Sequence, residues 1–103
     1  VIVMSLEIGN YVFEGPYDSA DALEHRSGLF VVFCRAEDDF RGLDCGSAAD
    51  VAAAVTGHPR RDAWQTTCSG TVVFAVLYAE DDLELIEAGL RTQFKFPCRD
   101  AVE

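Results

Sequence analysis

The run Leu29-Phe30-Val31-Val32-Phe33-Cys34 narrows the choice of fold more than any other stretch of the chain. It is continuous, apolar and rich in β-branched and aromatic side chains, so it reads as a strand buried on both faces. Glu37-Asp38-Asp39 follows as a solvated turn, and Phe40 to Cys45 forms the returning strand of a hairpin. Gly46 allows a tight departure into an alanine-rich helix. Ser47 is its expected N-cap, and Asp50, three residues on, makes a weak capping box. Ala48, Val51, Ala52 and Val55 share one helical face, and Gly57 ends the helix.

The remaining segments attach to this hairpin and helix. Val1-Ile2-Val3, Leu6, Ile8 and Tyr11-Val12-Phe13, with Gly9-Asn10 between two apolar clusters, read as an N-terminal strand or ribbon broken by Gly15-Pro16. Asp18-Ser19 can cap a short helix, Ala20 to Arg26, that stops at Gly28. After the alanine-rich helix, Pro59 can open another, with Trp64 anchoring it to the core. Thr71 to Tyr78 reads as a third buried strand. Glu80-Asp81-Asp82 begins a last helix whose Leu83, Ile86, Leu90 and Phe94 form an apolar stripe, and Pro97 prevents its continuation. The expected fold is therefore a small α+β domain with a three-stranded antiparallel sheet flanked by helices. Residues 1–26 form an extension packed on a domain of residues 27–98, residues 99–103 form a loose tail, and Met4 is a candidate for the true start.

Charge and cysteine usage set bounds on function. With 18 acidic residues against 8 basic ones, the net charge is −10. Nucleic-acid binding draws most of its non-specific affinity from clustered Lys and Arg, so a protein partner is expected ahead of DNA or RNA. No segment approaches the roughly 18–20 apolar residues of a membrane span, so no membrane partner is expected. The four cysteines, Cys34, Cys45, Cys68 and Cys98, are separated by 10, 22 and 29 residues. No gap matches the usual two-to-four-residue zinc spacing. The expectation is buried reduced thiols in a cytoplasmic protein; whether Cys34 and Cys45 face each other across the hairpin is left open.

Gly28-Leu29-Phe30, Asp44-Cys45-Gly46, the helix that follows, His58, and Glu87 on the late helix together resemble a degenerate GIY-YIG nuclease domain, over about residue 27 to Pro97. The resemblance implies that the sheet is the GIY-YIG one. In that family a tyrosine in each half of the motif, a helical arginine and a later glutamate surround a divalent metal and the scissile phosphate. The first tyrosine falls on Phe30, which keeps the ring and loses the hydroxyl needed for proton transfer. The second falls on Asp44, which would repel a phosphate unless a metal intervened. The arginine, eight residues after Gly46, falls on Ala54, leaving nothing obvious to neutralise charge on the phosphate. His58 and Glu87 match a histidine of some members and the metal-binding glutamate.

Each of these residues also has a purely structural reading. His58 can cap a helix end beside Gly57. Glu87 lies close to the apolar stripe, where a carboxylate is costly unless it is paired, with Arg91 or another arginine, or bound to a metal. Arg60-Arg61 is either a phosphate clamp or loop charge, and Trp64 is core. Two functions follow: a binding or regulatory module that has lost nuclease activity, needing no cofactor, or a Mg²⁺- or Mn²⁺-dependent phosphodiesterase with Asp44 and Glu87 as metal ligands and His58 as base. A third is an acidic surface that imitates nucleic acid and blocks a DNA-binding protein.

Overall fold

A computed structural model describes residues 5 to 100, with side chains to residue 98. In chain order it has β1 (Ser5–Ile8), β2 (Tyr11–Tyr17), a 3₁₀ turn (Ala20–Ala22), β3 (Gly28–Ala36), β4 (Asp39–Ala48), α1 (Val51–Thr56), α2 (Arg61–Thr67), β5 (Thr71–Tyr78), α3 (Leu83–Gln93) and α4 (Pro97–Asp100). The strands make one antiparallel sheet in the order β1-β2-β5-β3-β4.

This corrects the expected three-stranded sheet to five strands. The additional pair is the N-terminal hairpin, turned at Gly9-Asn10, whose second strand pairs with β5 through Glu14↔Val76 and Tyr17↔Phe74. Gly15-Pro16 does not end that strand; the register shifts across it and pairing resumes at Tyr17. Gly15 sits at φ +121°, and a Cβ there would come within 2.8 Å of the Phe74 carbonyl, so only glycine lets β2 pass this close to β5. Residues 1–4 and 101–103, with the expected first strand residues, the start at Met4 and the end of the tail, lie outside the described residues.

β3 lies between β5 and β4, and Leu29, Phe30, Val31 and Val32 are all buried, as a strand covered on both faces requires. Side chains alternate along it. Phe30, Val32 and Cys34 join Val51, Ala52, Val55, Trp64 and Phe74 on the side covered by α1 and α2. Leu29 and Val31 join Phe13, Cys45, Ala75, Leu90 and Phe96 on the side covered by α3. Full burial of side chains of this size stabilises the fold by about 1.5–3 kcal/mol each.

Several helix boundaries differ from the sequence expectation. Ser47 and Ala48 belong to β4, and the N-cap of α1 is Asp50, whose carboxylate accepts from the Ala53 N–H at 3.0 Å. His25 Nδ1 also lies 3.0 Å from both oxygens of Asp50. The backbone N–H of Ala53, and then His25, hold the Asp50 carboxyl below its usual range. The segment after Ser19 closes as a single 3₁₀ turn capped by Ser19 rather than a helix to Arg26. Of the α3 stripe only Leu90 is buried, and Phe94 is 42% exposed because it caps the helix in extended backbone. Pro97 opens the short α4.

The cysteine expectation is also corrected. Cys34 and Cys68 form a disulfide that ties the end of α2 to β3, while Cys45 and Cys98 remain buried thiols. Cys34 and Cys45 do not face each other: their cross-strand partners are Arg41 and Val31. Among the described residues no helix is long and apolar enough to cross a membrane.

Candidate functional site

The pairing of β3 with β4 decides which candidate side chains can meet. Phe30 lies opposite Gly46 and Val32 opposite Asp44, so Phe30 and Asp44 both stand on the α1/α2 side of the sheet. Cys45 and Ser47, the alternate residues of β4, stand on the α3 side. Gly46 lies mid-strand instead of at a departure into the helix. A Cβ there would come within 2.7 Å of the Phe30 ring, so glycine is what lets that ring lie across the strand.

Asp44 has no exposed surface, yet its carboxylate is satisfied on every side. Oδ2 accepts from Arg60 Nε at 2.6 Å and from Trp64 Nε1 at 2.7 Å. Oδ1 accepts from Arg60 Nη2 at 3.1 Å and from the Cys45 N–H at 2.8 Å. Two bonds per oxygen use all four acceptor positions of a carboxylate, and two of them form a bidentate guanidinium pair. Arg60, with 17% of its side chain exposed, is brought there by the turn between α1 and α2.

His58 completes the cluster. Its ring lies 4.7 Å from that of Trp64 and meets the Phe30 ring edge-on at 5.8 Å. Nδ1 accepts from the Arg60 N–H at 3.1 Å, which puts the proton of the neutral ring on Nε2. Nε2 stands 3.4 Å from Arg60 Nη2, and since both are then donors the contact adds no hydrogen bond. The lone pair a general base needs is thus turned to the backbone.

The other nominated residues are dispersed. Ala54 packs its methyl group against the α1/α2-side cluster, where the resemblance would put an arginine. Arg61 donates from Nη1 to the Thr56 carbonyl at 2.6 Å, fastening the end of α1 instead of joining Arg60 in a clamp. Glu87, half-buried on α3, accepts from the Ser47 hydroxyl at 3.1 Å. Ser47 is on the α3 side of β4, so the sheet stands between Glu87 and Asp44. Among the described residues no group of three or more His, Cys, Asp or Glu could hold a metal ion.

The partners of Asp44 escaped the sequence reading, although a signal was present. Asp44 interrupts an otherwise apolar Leu43-Asp44-Cys45, and a carboxylate in a buried strand requires a cation and donors nearby. Comparison of the chain with protein-family models, with curated proteins and with solved structures found no match.

Proposed function

We propose that the chain is a binding or regulatory module whose nuclease-like centre is silent, a pseudoenzyme in the sense implied by its resemblance to GIY-YIG domains. The observation carrying this reading is the saturated carboxylate of Asp44. Where the family presents a tyrosine, this chain has an acid whose acceptor positions are consumed by Arg60, Trp64 and the Cys45 N–H. A metal ion could bind Asp44 only by displacing a guanidinium from a buried pair, which leaves two cations competing for one charge. Phe30 without a hydroxyl and Ala54 without a charge support the same reading.

The alternative, a Mg²⁺- or Mn²⁺-dependent phosphodiesterase using Asp44, His58 and Glu87, requires groups that the sheet separates and a histidine whose acceptor nitrogen is occupied. For partners, protein is favoured over nucleic acid. The net charge is −10, and Arg60, half of the expected phosphate clamp, is bound to Asp44. The cytoplasmic setting expected from reduced thiols has lost its main support, because a Cys34–Cys68 bridge suits an oxidising compartment.

The test is incubation of the purified protein with single- and double-stranded DNA and RNA, in Mg²⁺, in Mn²⁺ and with chelator. No metal-dependent cleavage is expected. Cleavage that disappears in a folded Glu87→Ala variant would overturn the reading.

A further inference from the structure

We infer that the Cys34–Cys68 disulfide is one position of a thiol–disulfide switch, with Cys98 as its exchange partner and a second folded form bridged Cys68–Cys98. This goes beyond the silent-centre reading and does not rest on it, since it concerns only the cysteines and the elements they tie together.

The sheet sorts the four cysteines into three and one. Cys34 on β3 and Cys98 on α4 are buried in the cluster on the α1/α2 side, and Cys68, the C-cap of α2, packs against that same cluster. Cys45 faces the α3 side. The Cys98 Sγ donates to Thr67 Oγ1 at 3.6 Å, and Thr67 directly precedes Cys68. α4 packs against α2 as well as against β4. A thiol and a disulfide thus share one packed cluster, and the thiol is seated on the residue next to a bridged sulfur.

The exchange balances within the chain. The Cys98 thiol gives up its proton, and its sulfur bonds to Cys68 Sγ as the Cys34–Cys68 bond breaks. The electron pair of that bond leaves on Cys34 Sγ, which takes up a proton. One disulfide and one thiol stand on each side, so no oxidant or reductant is consumed. Cys68 is the sulfur open to attack. It is half-buried at a helix end in extended backbone, whereas Cys34 is buried mid-strand between β4 and β5.

Little else separates the two forms. Cys34 and Cys68 are 34 positions apart and Cys68 and Cys98 are 30, so loop entropy hardly distinguishes the bridges. Either form leaves one buried thiol in the same cluster, where it behaves as a small apolar group. What changes is the tie: α2 is fastened to β3 in one form and to α4 in the other. A bridge needs Cα atoms about 4.4–6.8 Å apart. β3 is paired along both edges, so the exchange draws the four-residue α4 and the end of α2 together. α2 carries Trp64, a donor to Asp44, and the exchanged form lacks the bridge that holds this helix to the sheet.

The experiment is a disulfide map of the full oxidised chain. The protein is held at mildly alkaline pH without added thiol or oxidant for minutes to hours, the timescale of disulfide rearrangement. It is then quenched with acid, alkylated in denaturant, digested and read by mass spectrometry. Cys34–Cys68 is expected as one bridge and Cys68–Cys98 as the other, the second in about 0.1–10% of molecules or more. Cys98→Ala should abolish the second bridge, and Cys45→Ala should leave its proportion within about twofold. Cys34→Ala, shown folded by near-ultraviolet circular dichroism, should form Cys68–Cys98 when treated with glutathione disulfide. A parent map with no Cys68–Cys98 above about 0.1% would overturn the switch. So would bridges to Cys45 as frequent as those to Cys98, the mark of scrambling through the unfolded chain, or an oxidised parent without Cys34–Cys68.

Discussion

Asp44 and Glu87 make the most instructive pair in the molecule. Both are carboxylates, both were nominated for one metal, and both depend on β4, yet they are held in opposite ways. Asp44 projects from β4 to the α1/α2 side, fully buried, with a guanidinium, an indole and a backbone amide on its two oxygens. Glu87 approaches β4 from the α3 side, half-buried, and meets the neutral hydroxyl of Ser47. The two-residue period of a strand separates them: Asp44 and Ser47 differ by an odd number of positions and therefore face opposite layers. One acid is thus part of the fold, while the other sits at the margin of a helix–sheet contact.

The largest effect should come from breaking the Asp44 side. Arg60→Met leaves a buried carboxylate without its cation and should cost about 3–5 kcal/mol in denaturant unfolding. Cys34→Ala/Cys68→Ala should follow, at about 3–4 kcal/mol, because the bridge spans a sequence separation of 34 and constrains the unfolded chain. Thiol titration of the parent protein in denaturant should find two reactive groups among the four cysteines. Trp64→Phe keeps an aromatic ring and removes one donor from Asp44, at about 1–3 kcal/mol.

Changes at the Glu87 side should be smaller. Glu87→Gln retains an acceptor for Ser47 and should change stability by less than about 1 kcal/mol. Its effect should add to that of Arg60→Met within about 0.5 kcal/mol, as expected for sites on opposite faces of the sheet. A larger coupling would mean that the two sides communicate through β4. The smallest effect concerns Asp50. Its carboxyl is held below the usual range, so its contribution is complete above the unfolded carboxylate range and is lost as pH falls through the folded value. Asp50→Asn should remove that part of the acid sensitivity, read from unfolding curves recorded across the acid range.

The same contrast explains what was legible in the sequence. The strand at Leu29–Cys34, the acidic turn and the third strand at Thr71–Tyr78 declare themselves through local apolar runs, which need no knowledge of partners. Trp64 as core was equally plain from its size. What local pattern cannot carry is pairing across distance. Arg60 lies 16 residues from Asp44, and Cys68 lies 34 from Cys34, with no spacing rule to join either pair. The N-terminal ribbon was legible from its two apolar clusters, but its place in the sheet was not, because Gly15-Pro16 looks like a chain break, whereas the sheet absorbs it as a shift of register. Ser47 and Asp50 exchanged roles for a related reason. Either can cap a helix, and only the length of β4 decides which of them does.

The account stands on Asp44 being a structural ion-pair partner instead of a ligand or catalyst. A double-mutant cycle on Asp44→Leu and Arg60→Met, followed by denaturant unfolding, tests this most directly. The predicted result is a cost of about 3–5 kcal/mol for Arg60→Met and a double variant that recovers most of it, falling short of the parent by about 1–3 kcal/mol for the Trp64 Nε1–H left without its acceptor. The contradictory result is a protein stabilised by Asp44→Leu alone, the behaviour of a residue retained for function at the expense of stability.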